Sequence, residues 1–183
     1  LFRYRKEFEK PTIEEGFVSV TKSKPVFAWP LEYTNKAIIL DYDDTLRKVV
    51  NGAQKYPTRP EEVEILPGRK EILKQLKEEG YLFFGVSNQS GVARGDVTYD
   101  NVVRCFERTN ELLEAEIEFH FCPHRVPPSC YCRKPQSGIG VYLIHKYKLD
   151  PTQCVMVGDQ TSDRTFAVRC GFQFVLANEY FSD

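Results

Sequence analysis

The sequence predicts an α/β domain with a mostly parallel sheet flanked by helices. From residue 37 onward, short apolar runs alternate with segments of helical periodicity, and polar clusters follow several of the apolar runs. The chain has 183 residues, of which 42% are hydrophobic, so it is long enough to bury the core of one such domain.

Composition and charge narrow the class of protein. A net charge of −1 gives the chain no overall attraction to nucleic acid, although a local basic groove would still be compatible with it. No apolar run is long enough to span a bilayer. Three of the six cysteines crowd beside a histidine, which is typical of a metal site rather than of a set of disulfides. We expect a soluble, cytoplasmic protein, monomeric and without a membrane partner.

The predicted strands and helices alternate along the chain. Each strand is an apolar run of four to six residues, and each helix carries apolar residues three and four positions apart. In chain order the predicted elements are a strand over 37–40, a helix over 69–79, a strand over 81–86, a helix over 102–115, a strand over 117–121, a helix over 138–147, a strand over 154–157, a helix over 163–170 and a strand over 172–176. Residues 1–35 lack this periodicity, so we predict a lead-in over 1–35 and one domain over 36–183.

Polar residues follow three of the predicted strands. Asp41 comes directly after the first strand, Ser87 after the second and Asp159 after the strand over 154–157. The carboxyl ends of parallel strands meet at one edge of a sheet, where ligands bind. The sequence therefore predicts one site that these three residues share.

The first polar cluster contains paired carboxylates, Asp41 and Asp43, followed by Thr45. A carboxylate attacks phosphorus when a metal ion neutralises both it and the incoming phosphate, and a second carboxylate can protonate the leaving oxygen and later activate water. An Asp-rich turn after a strand is the plain alternative, because Asp suits turn geometry.

Three further clusters suit the binding of phosphate and of a metal ion. The hydroxyl and amide of Ser87 and Asn88 can hold phosphate oxygens, and the Arg133-Lys134 pair supplies positive charge. Asp159 suits Mg²⁺, with Asp163 as a supporting acid, although Asp163 also fits the first turn of a helix. Taken singly, the polar turn and the basic pair are typical of ordinary surface loops.

Together these clusters resemble the four motifs of the haloacid dehalogenase superfamily over about residues 36–177. The resemblance implies a Rossmann-like fold and a Mg²⁺-dependent phosphatase that acts through an aspartyl phosphate. It implies a nucleophile at Asp41, an acid/base at Asp43, a catalytic cation at Lys134, phosphate contacts at Thr45, Ser87, Asn88 and Arg133, and Mg²⁺ ligands at Asp41, the Asp43 carbonyl and Asp159, supported by Asp163. Asp44 stands where these enzymes usually have Gly, and we expect it to be tolerated because Asp accepts left-handed backbone.

Four soft or borderline ligands lie within eleven residues, namely Cys122, His124, Cys130 and Cys132. Such a set fits tetrahedral Zn²⁺ without an open position, which predicts a structural zinc site. Free cysteines and a disulfide are the alternatives. The pattern resembles the branch of the superfamily that contains histidinol-phosphate and heptose-bisphosphate phosphatases, where the loop would position Arg133 and Lys134.

The spacing of the motifs leaves no room for a cap domain. Only about twenty residues separate the first cluster from the helix over 69–79, and the segment between Ser87 and Lys134 is filled by a helix, a strand and the cysteine loop. We therefore expect an open site that admits either a small phosphate ester or the end of a polymer.

The segment from Tyr4 to Phe17 is similar to the closing segment of the kinase domain in polynucleotide kinase/phosphatases, and a P-loop is missing from the sequence. On this basis we expect the phosphatase part of a longer kinase-containing protein, acting on a nucleic-acid 3′ end, with Tyr99, Tyr131 and Arg94 as contacts. The alternative is a small-molecule phosphatase acting on histidinol phosphate or a heptose bisphosphate. A catalytically inactive binding domain is a third reading, which the intact carboxylates argue against.

Overall fold

The structure is a computed structural model that describes residues 13–16, 18–19, 30–52, 54–127 and 130–182. Within the kinase-like segment, the structure describes only residues 13–16, where Ile13–Glu15 forms one 3₁₀ turn. The rest of that segment, and much of the lead-in predicted over 1–35, lies outside the described residues.

In the described part of the chain the main sheet consists of β1 (Asn35–Leu40), β4 (Leu82–Asn88), β5 (Glu118–Cys122), β6 (Leu149–Gly158) and β7 (Gln173–Leu176). These five strands lie in the spatial order β5-β4-β1-β6-β7, and all four pairings are parallel. The predicted α/β class is thereby confirmed. The first strand lies at the centre, which places Asp41 in the middle of the carboxyl edge of the sheet.

The described residues form six α-helices alongside the strands: α1 (Arg69–Glu78), α2 (Gly91–Arg94), α3 (Tyr99–Leu113), α4 (Gly138–Tyr147), α5 (Thr161–Cys170) and α6 (Ala177–Tyr180). Helix α3 begins three residues before the predicted start, because the hydroxyl of Thr98 caps it by accepting from the backbone N–H of Asn101. The short helices α2 and α6 are too brief to produce a periodic apolar pattern and were not predicted.

Apolar side chains cover both faces of the central strand. Ile38 and Leu40 pack on the side of α1 and α3, whereas Ala37 and Ile39 pack on the side of α4 and α5. All four side chains are at most 1% exposed. A strand buried on both faces reads as a continuous apolar run, which is why the sequence predicted it correctly.

A small antiparallel hairpin lies between β1 and α1 and was not predicted. Its strands are β2 (Arg47–Val49) and β3 (Val63–Ile65), joined by residues that include two 3₁₀ turns. Strands of three residues are too short to show alternation. The twenty-odd residues at this position thus form a hairpin rather than a cap domain, as the spacing predicted. Among the described residues, no helix is both long enough and apolar enough to cross a membrane.

Candidate active site and metal cluster

Asp41, Lys134 and Asp163 meet at the carboxyl edge of the sheet. Lys134 Nζ lies 2.5 Å from Asp41 Oδ1 and 2.7 Å from Asp163 Oδ1. The three residues are buried, with exposures of 6%, 3% and 1% respectively. Because Asp41 follows β1 and its N–H donates to the Val157 carbonyl of β6, the start of the first motif continues the pairing of the sheet.

The ionisation of this group follows from burial and from neighbouring charge. Burial raises the pKa of Asp41 to about 7; Lys134 opposes the rise, and the carboxylates of Asp163 and Asp43 add to it. Burial acts to lower the pKa of Lys134, but the charges of Asp41 and Asp163 outweigh it and hold that pKa above its usual value. The lysine therefore stays cationic between two acids.

Three carboxylates, those of Asp41, Asp159 and Asp163, place oxygen atoms within 4.8 Å of one another. When all three carboxylates are ionised, the single positive charge of Lys134 leaves two negative charges uncompensated. Burial, followed by the charge of Asp163, raises the pKa of Asp159. Hard oxygen ligands with surplus negative charge fit Mg²⁺. Gly158 makes the arrangement possible, because a Cβ there would lie 2.5 Å from Asp163 Oδ2.

The carboxylate of Asp43 is held apart from that group. Arg47 Nε donates to Asp43 Oδ1 at 2.9 Å, and Gln89 Nε2 donates to Asp43 Oδ2 at 2.9 Å. Neither donor was predicted from the sequence. The position of Gln89, directly after Ser87 and Asn88, could have indicated its role. Arg47 lies on the unpredicted strand β2, and nothing in the sequence around it indicated that it would bind Asp43.

Ser87 and Asn88 form the end of β4, two residues beyond the predicted strand. The buried hydroxyl of Ser87 accepts from Gln89 Nε2 at 3.0 Å and lines the cleft. Both ends of the Asn88 amide instead bind the backbone of Lys134, at 3.0 Å to its N–H and 3.0 Å to its carbonyl. Asn88 also lines the cleft, so its amide holds the lysine loop in place beside the site, and its contact with phosphate stays a prediction.

Thr45 and Arg133 were predicted to contact phosphate, and neither lines the cleft in the described part of the chain. Thr45 is fully buried, and its carbonyl accepts from Arg69 Nε at 3.0 Å. The Thr45 hydroxyl and Arg133 Nη1 are buried without a hydrogen-bond partner among the described residues. Asp44 has a φ of 62°, the left-handed backbone expected at this position.

The predicted zinc ligands form one cluster. His124 Nδ1 lies 3.6 Å from Cys122 Sγ and 3.3 Å from the Sγ atoms of Cys130 and Cys132, while Cys130 Sγ lies 3.2 Å and 3.0 Å from the other two sulfurs. The three cysteines are free of disulfides, and the ligand atoms of all four residues lie within 4.8 Å of one another. Four donors so arranged suit a tetrahedral ion with no open position.

None of the three residues predicted to contact nucleic acid, Arg94, Tyr99 and Tyr131, belongs to the described lining of the cleft. Arg94 is bound within its own surroundings, donating to Asp96, Ser90 and Tyr56 at 2.8, 2.8 and 3.0 Å. Tyr99 and Tyr131 are 54% and 63% exposed, and neither lines the cleft.

The cleft itself has a volume of about 50 Å³. It lies between the carboxyl ends of the strands and the starts of the following loops. Its described lining consists of Asp41, Asp43, Ser87, Asn88, Lys134, Gln160, Ser162 and Asp163.

Comparison with known proteins agrees with this geometry. Residues 131–179 match the HAD-hydrolase-like family model. The D-glycero-beta-D-manno-heptose-1,7-bisphosphate 7-phosphatase of Haemophilus influenzae is 36% identical over 139 residues, which cover 70% of this chain and 73% of that protein. A probable D-glycero-D-manno-heptose-1,7-bisphosphate 7-phosphatase of Thermoplasma volcanium is 30% identical over 146 residues, covering 77% and 97% of the two chains.

A solved structure shows the same fold. The D,D-heptose 1,7-bisphosphate phosphatase of B. bronchiseptica, complexed with magnesium and phosphate, superposes with a TM-score of 0.70 at 26% identity over 77% of this chain and 79% of that one. These relatives favour the small-molecule alternative over the expectation of a nucleic-acid 3′ end, which they do not support. The chain therefore belongs to the haloacid dehalogenase superfamily, as a phosphatase related to the heptose-bisphosphate phosphatases.

Proposed function

We propose that this phosphatase hydrolyses a small sugar phosphate of the heptose 1,7-bisphosphate class through an aspartyl phosphate on Asp41. The observation that carries the proposal is the position of Asp41, at the carboxyl end of the central strand beside the ammonium of Lys134. The names of the relatives support the choice of substrate.

Asp41 is the proposed nucleophile. Its carboxylate attacks phosphorus, the bond from phosphorus to the sugar oxygen breaks, and the enzyme carries an acyl phosphate. Lys134 lies between Asp41 and Asp163, so it offsets the repulsion between the nucleophile and an incoming dianion. The hydroxyl of Ser87 lines the same cleft and contacts the transferred group.

Asp43 is the proposed acid/base. It protonates the leaving sugar oxygen in the first step and takes a proton from the attacking water in the second. Its position on the cleft wall, two residues after Asp41, suits both roles.

Mg²⁺ fits the carboxylates of Asp41 and Asp159, with the backbone carbonyl of Asp43 as a further ligand and Asp163 in support. When bound, this ion supplies charge neutralisation for the nucleophile and the phosphoryl oxygens. Asp163 also pairs with Lys134, so it links the metal-binding carboxylates to the lysine loop.

Zn²⁺ fits the cluster of Cys122, His124, Cys130 and Cys132 as a structural ion. Cys132 precedes Lys134 by two residues, so an ion there would hold the loop that carries the catalytic ammonium. Asn88 holds the same loop through the backbone of Lys134.

The size of the cleft supports a substrate that inserts only its phosphoryl group. A volume of about 50 Å³ is far below the several hundred Å³ of a pocket that encloses a whole ligand. The sugar would therefore rest outside the cleft.

Turnover of three phosphate esters tests the proposal. A heptose 1,7-bisphosphate, histidinol phosphate and a 3′-phosphorylated oligonucleotide should be compared by phosphate release in the presence of Mg²⁺. We expect the highest kcat/KM with the heptose bisphosphate. A higher kcat/KM with the oligonucleotide would refute the proposed substrate class and favour the hypothesis of a nucleic-acid 3′ end. It would not contradict the proposed chemistry at Asp41.

A further inference from the structure

Both carboxylate oxygens of Asp43 are bound by donors that the mechanism above does not use. Arg47 binds Oδ1 and Gln89 binds Oδ2, each at 2.9 Å. The side chain of Asp43 is 19% exposed, whereas Arg47 and Gln89 are 1% and 4% exposed. A carboxylate on the wall of the cleft is thus oriented by two buried donors.

Arg47 is itself anchored by helix α3. Its Nη1 donates to the Cys105 carbonyl and to Thr109 Oγ1, both at 2.9 Å, and its guanidinium lies 4.7 Å from the centre of the Phe106 ring. A buried guanidinium is costly without a carboxylate, and among the described residues only Asp43 pairs with it. The planar fork of an arginine can bind the helix and Asp43 at once, so the position of Asp43 is tied to α3.

Gln89 binds Asp43 from a different element. Its backbone N–H donates to the Cys122 carbonyl at 2.8 Å, at the carboxyl end of β5. Its side-chain amide also lies 3.0 Å from Ser87 Oγ, so one amide connects the proposed acid/base with the proposed phosphate contact. The two donors therefore fix Asp43 relative to both the helix layer and the sheet edge.

We infer that Arg47 and Gln89 are positioning residues that hold Asp43 for hydrolysis of the aspartyl phosphate. The inference rests on the proposed function of Asp43. In that step the water oxygen attacks phosphorus, the water proton passes to the carboxylate of Asp43, and the bond from phosphorus to Asp41 breaks to release inorganic phosphate. A base on two rotatable bonds loses much of its effect when its oxygen moves by about an ångström.

The test uses p-nitrophenyl phosphate and the variant Arg47→Met. p-Nitrophenolate leaves without a proton, so only the second step of the reaction requires Asp43. We expect a rapid burst of p-nitrophenol followed by a steady rate about 100-fold below that of the unsubstituted enzyme. Intact mass after acid quench should show that phosphorylated enzyme accumulates, and Arg47→Lys should recover part of the rate.

A purely structural role for Arg47 gives a different result. The burst and the steady rate would then fall together, in proportion to the folded fraction, without accumulation of phosphorylated enzyme. That result would overturn the inference. The matched control is Arg59→Met on the same hairpin, whose residue is exposed and pairs only with Glu62 among the described residues, and it should behave as the unsubstituted enzyme.

Gln89→Met provides a second test that does not remove a buried charge. It should show the same burst and the same accumulation, even if Arg47→Met fails to fold. Gln89→Met turning over at the unsubstituted rate would overturn the assignment of Gln89.

Asp43→Asn separates the inference from the function on which it rests. If Asp43→Asn does not accumulate phosphorylated enzyme, the proposed role of Asp43 is wrong and the inference falls with it. If Asp43→Asn accumulates it but Arg47→Met and Gln89→Met do not, the positioning inference alone is wrong.

Discussion

The ammonium of Lys134 lies 2.5 Å from the carboxylate of Asp41, although the two residues are 93 positions apart in the chain. Both side chains are buried, so the attraction between them is weakly screened by solvent. A second carboxylate, that of Asp163, lies 2.7 Å from the same ammonium. One lysine on the loop after β5 therefore pairs with the residue that follows β1 and with the first turn of α5, at the proposed site of phosphoryl transfer.

Asp41→Asn should lower turnover by more than about a thousandfold while leaving the fold intact, because an amide cannot form the acyl phosphate. The measurement is phosphate release, with circular dichroism as the check on folding. Retained turnover would refute the covalent mechanism.

The same variant makes a prediction about stability. The pKa of Asp41 in the folded chain is about 7, above its ordinary value of 3.8. The unsubstituted protein therefore loses stability as pH rises from 3.8 to about 7. Asn does not ionise. In Mg²⁺-free buffer at about pH 8, Asp41→Asn should therefore unfold at a temperature no lower than the unsubstituted protein, and a clearly lower temperature would contradict the raised pKa.

Lys134→Met should abolish activity and destabilise the fold by about 3 kcal/mol, because it leaves buried carboxylates without their cation. Added Mg²⁺ should restore part of that loss by compensating the same charges. Urea denaturation with and without Mg²⁺ measures both effects. Lys74→Met, an exposed change on α1, should have neither effect, and equal losses in the two variants would contradict this account.

Elemental analysis should find about one zinc per chain. Cys132→Ser should lower the zinc content and the stability, and it should also lower activity because Lys134 lies on the same loop. Cys154→Ala changes a buried cysteine outside the cluster and should leave the zinc content unchanged. Fully stable protein without metal would remove the structural-site proposal.

Glu118→Gln should destabilise the protein by about 1 kcal/mol at neutral pH. Lys146 Nζ and His120 Nε2 each lie 2.9 Å from the Glu118 carboxylate, and the Tyr147 hydroxyl donates to it. Burial opposes ionisation, but these contacts outweigh burial and lower the pKa of Glu118 to about 2. The ionised carboxylate is thus favoured by folding.

The sign of the pH effect follows from that lowered pKa. The stabilisation is fully present above the ordinary pKa of 4.5 and is lost as pH falls toward about 2. The difference in free energy of unfolding between Glu118→Gln and the unsubstituted protein, measured by urea denaturation, should therefore be smaller at about pH 3 than at about pH 7. The control is Glu116→Gln, because the Glu116 side chain is 93% exposed. If the difference in free energy of unfolding for Glu118→Gln does not change with pH, the lowered pKa of Glu118 is contradicted.

The sequence alone determined the fold class and most of the residues that line the cleft. Apolar runs that are buried on both faces are typical of parallel strands. Asp41, Ser87 and Lys134 each belong to a short motif that can be recognised within a few consecutive residues. The cysteine cluster was equally readable, because its four ligands lie within eleven residues.

Only the tertiary structure decided what each polar group does. Asn88 holds the backbone of Lys134 with both ends of its amide, and Asp163 is a buried partner of that lysine. Arg47 reaches Asp43 because helix α3 supplies its acceptors from residues more than fifty positions away. A hydrogen bond depends on distance and direction between two atoms, and for groups on separate elements those are set by packing rather than by spacing along the chain.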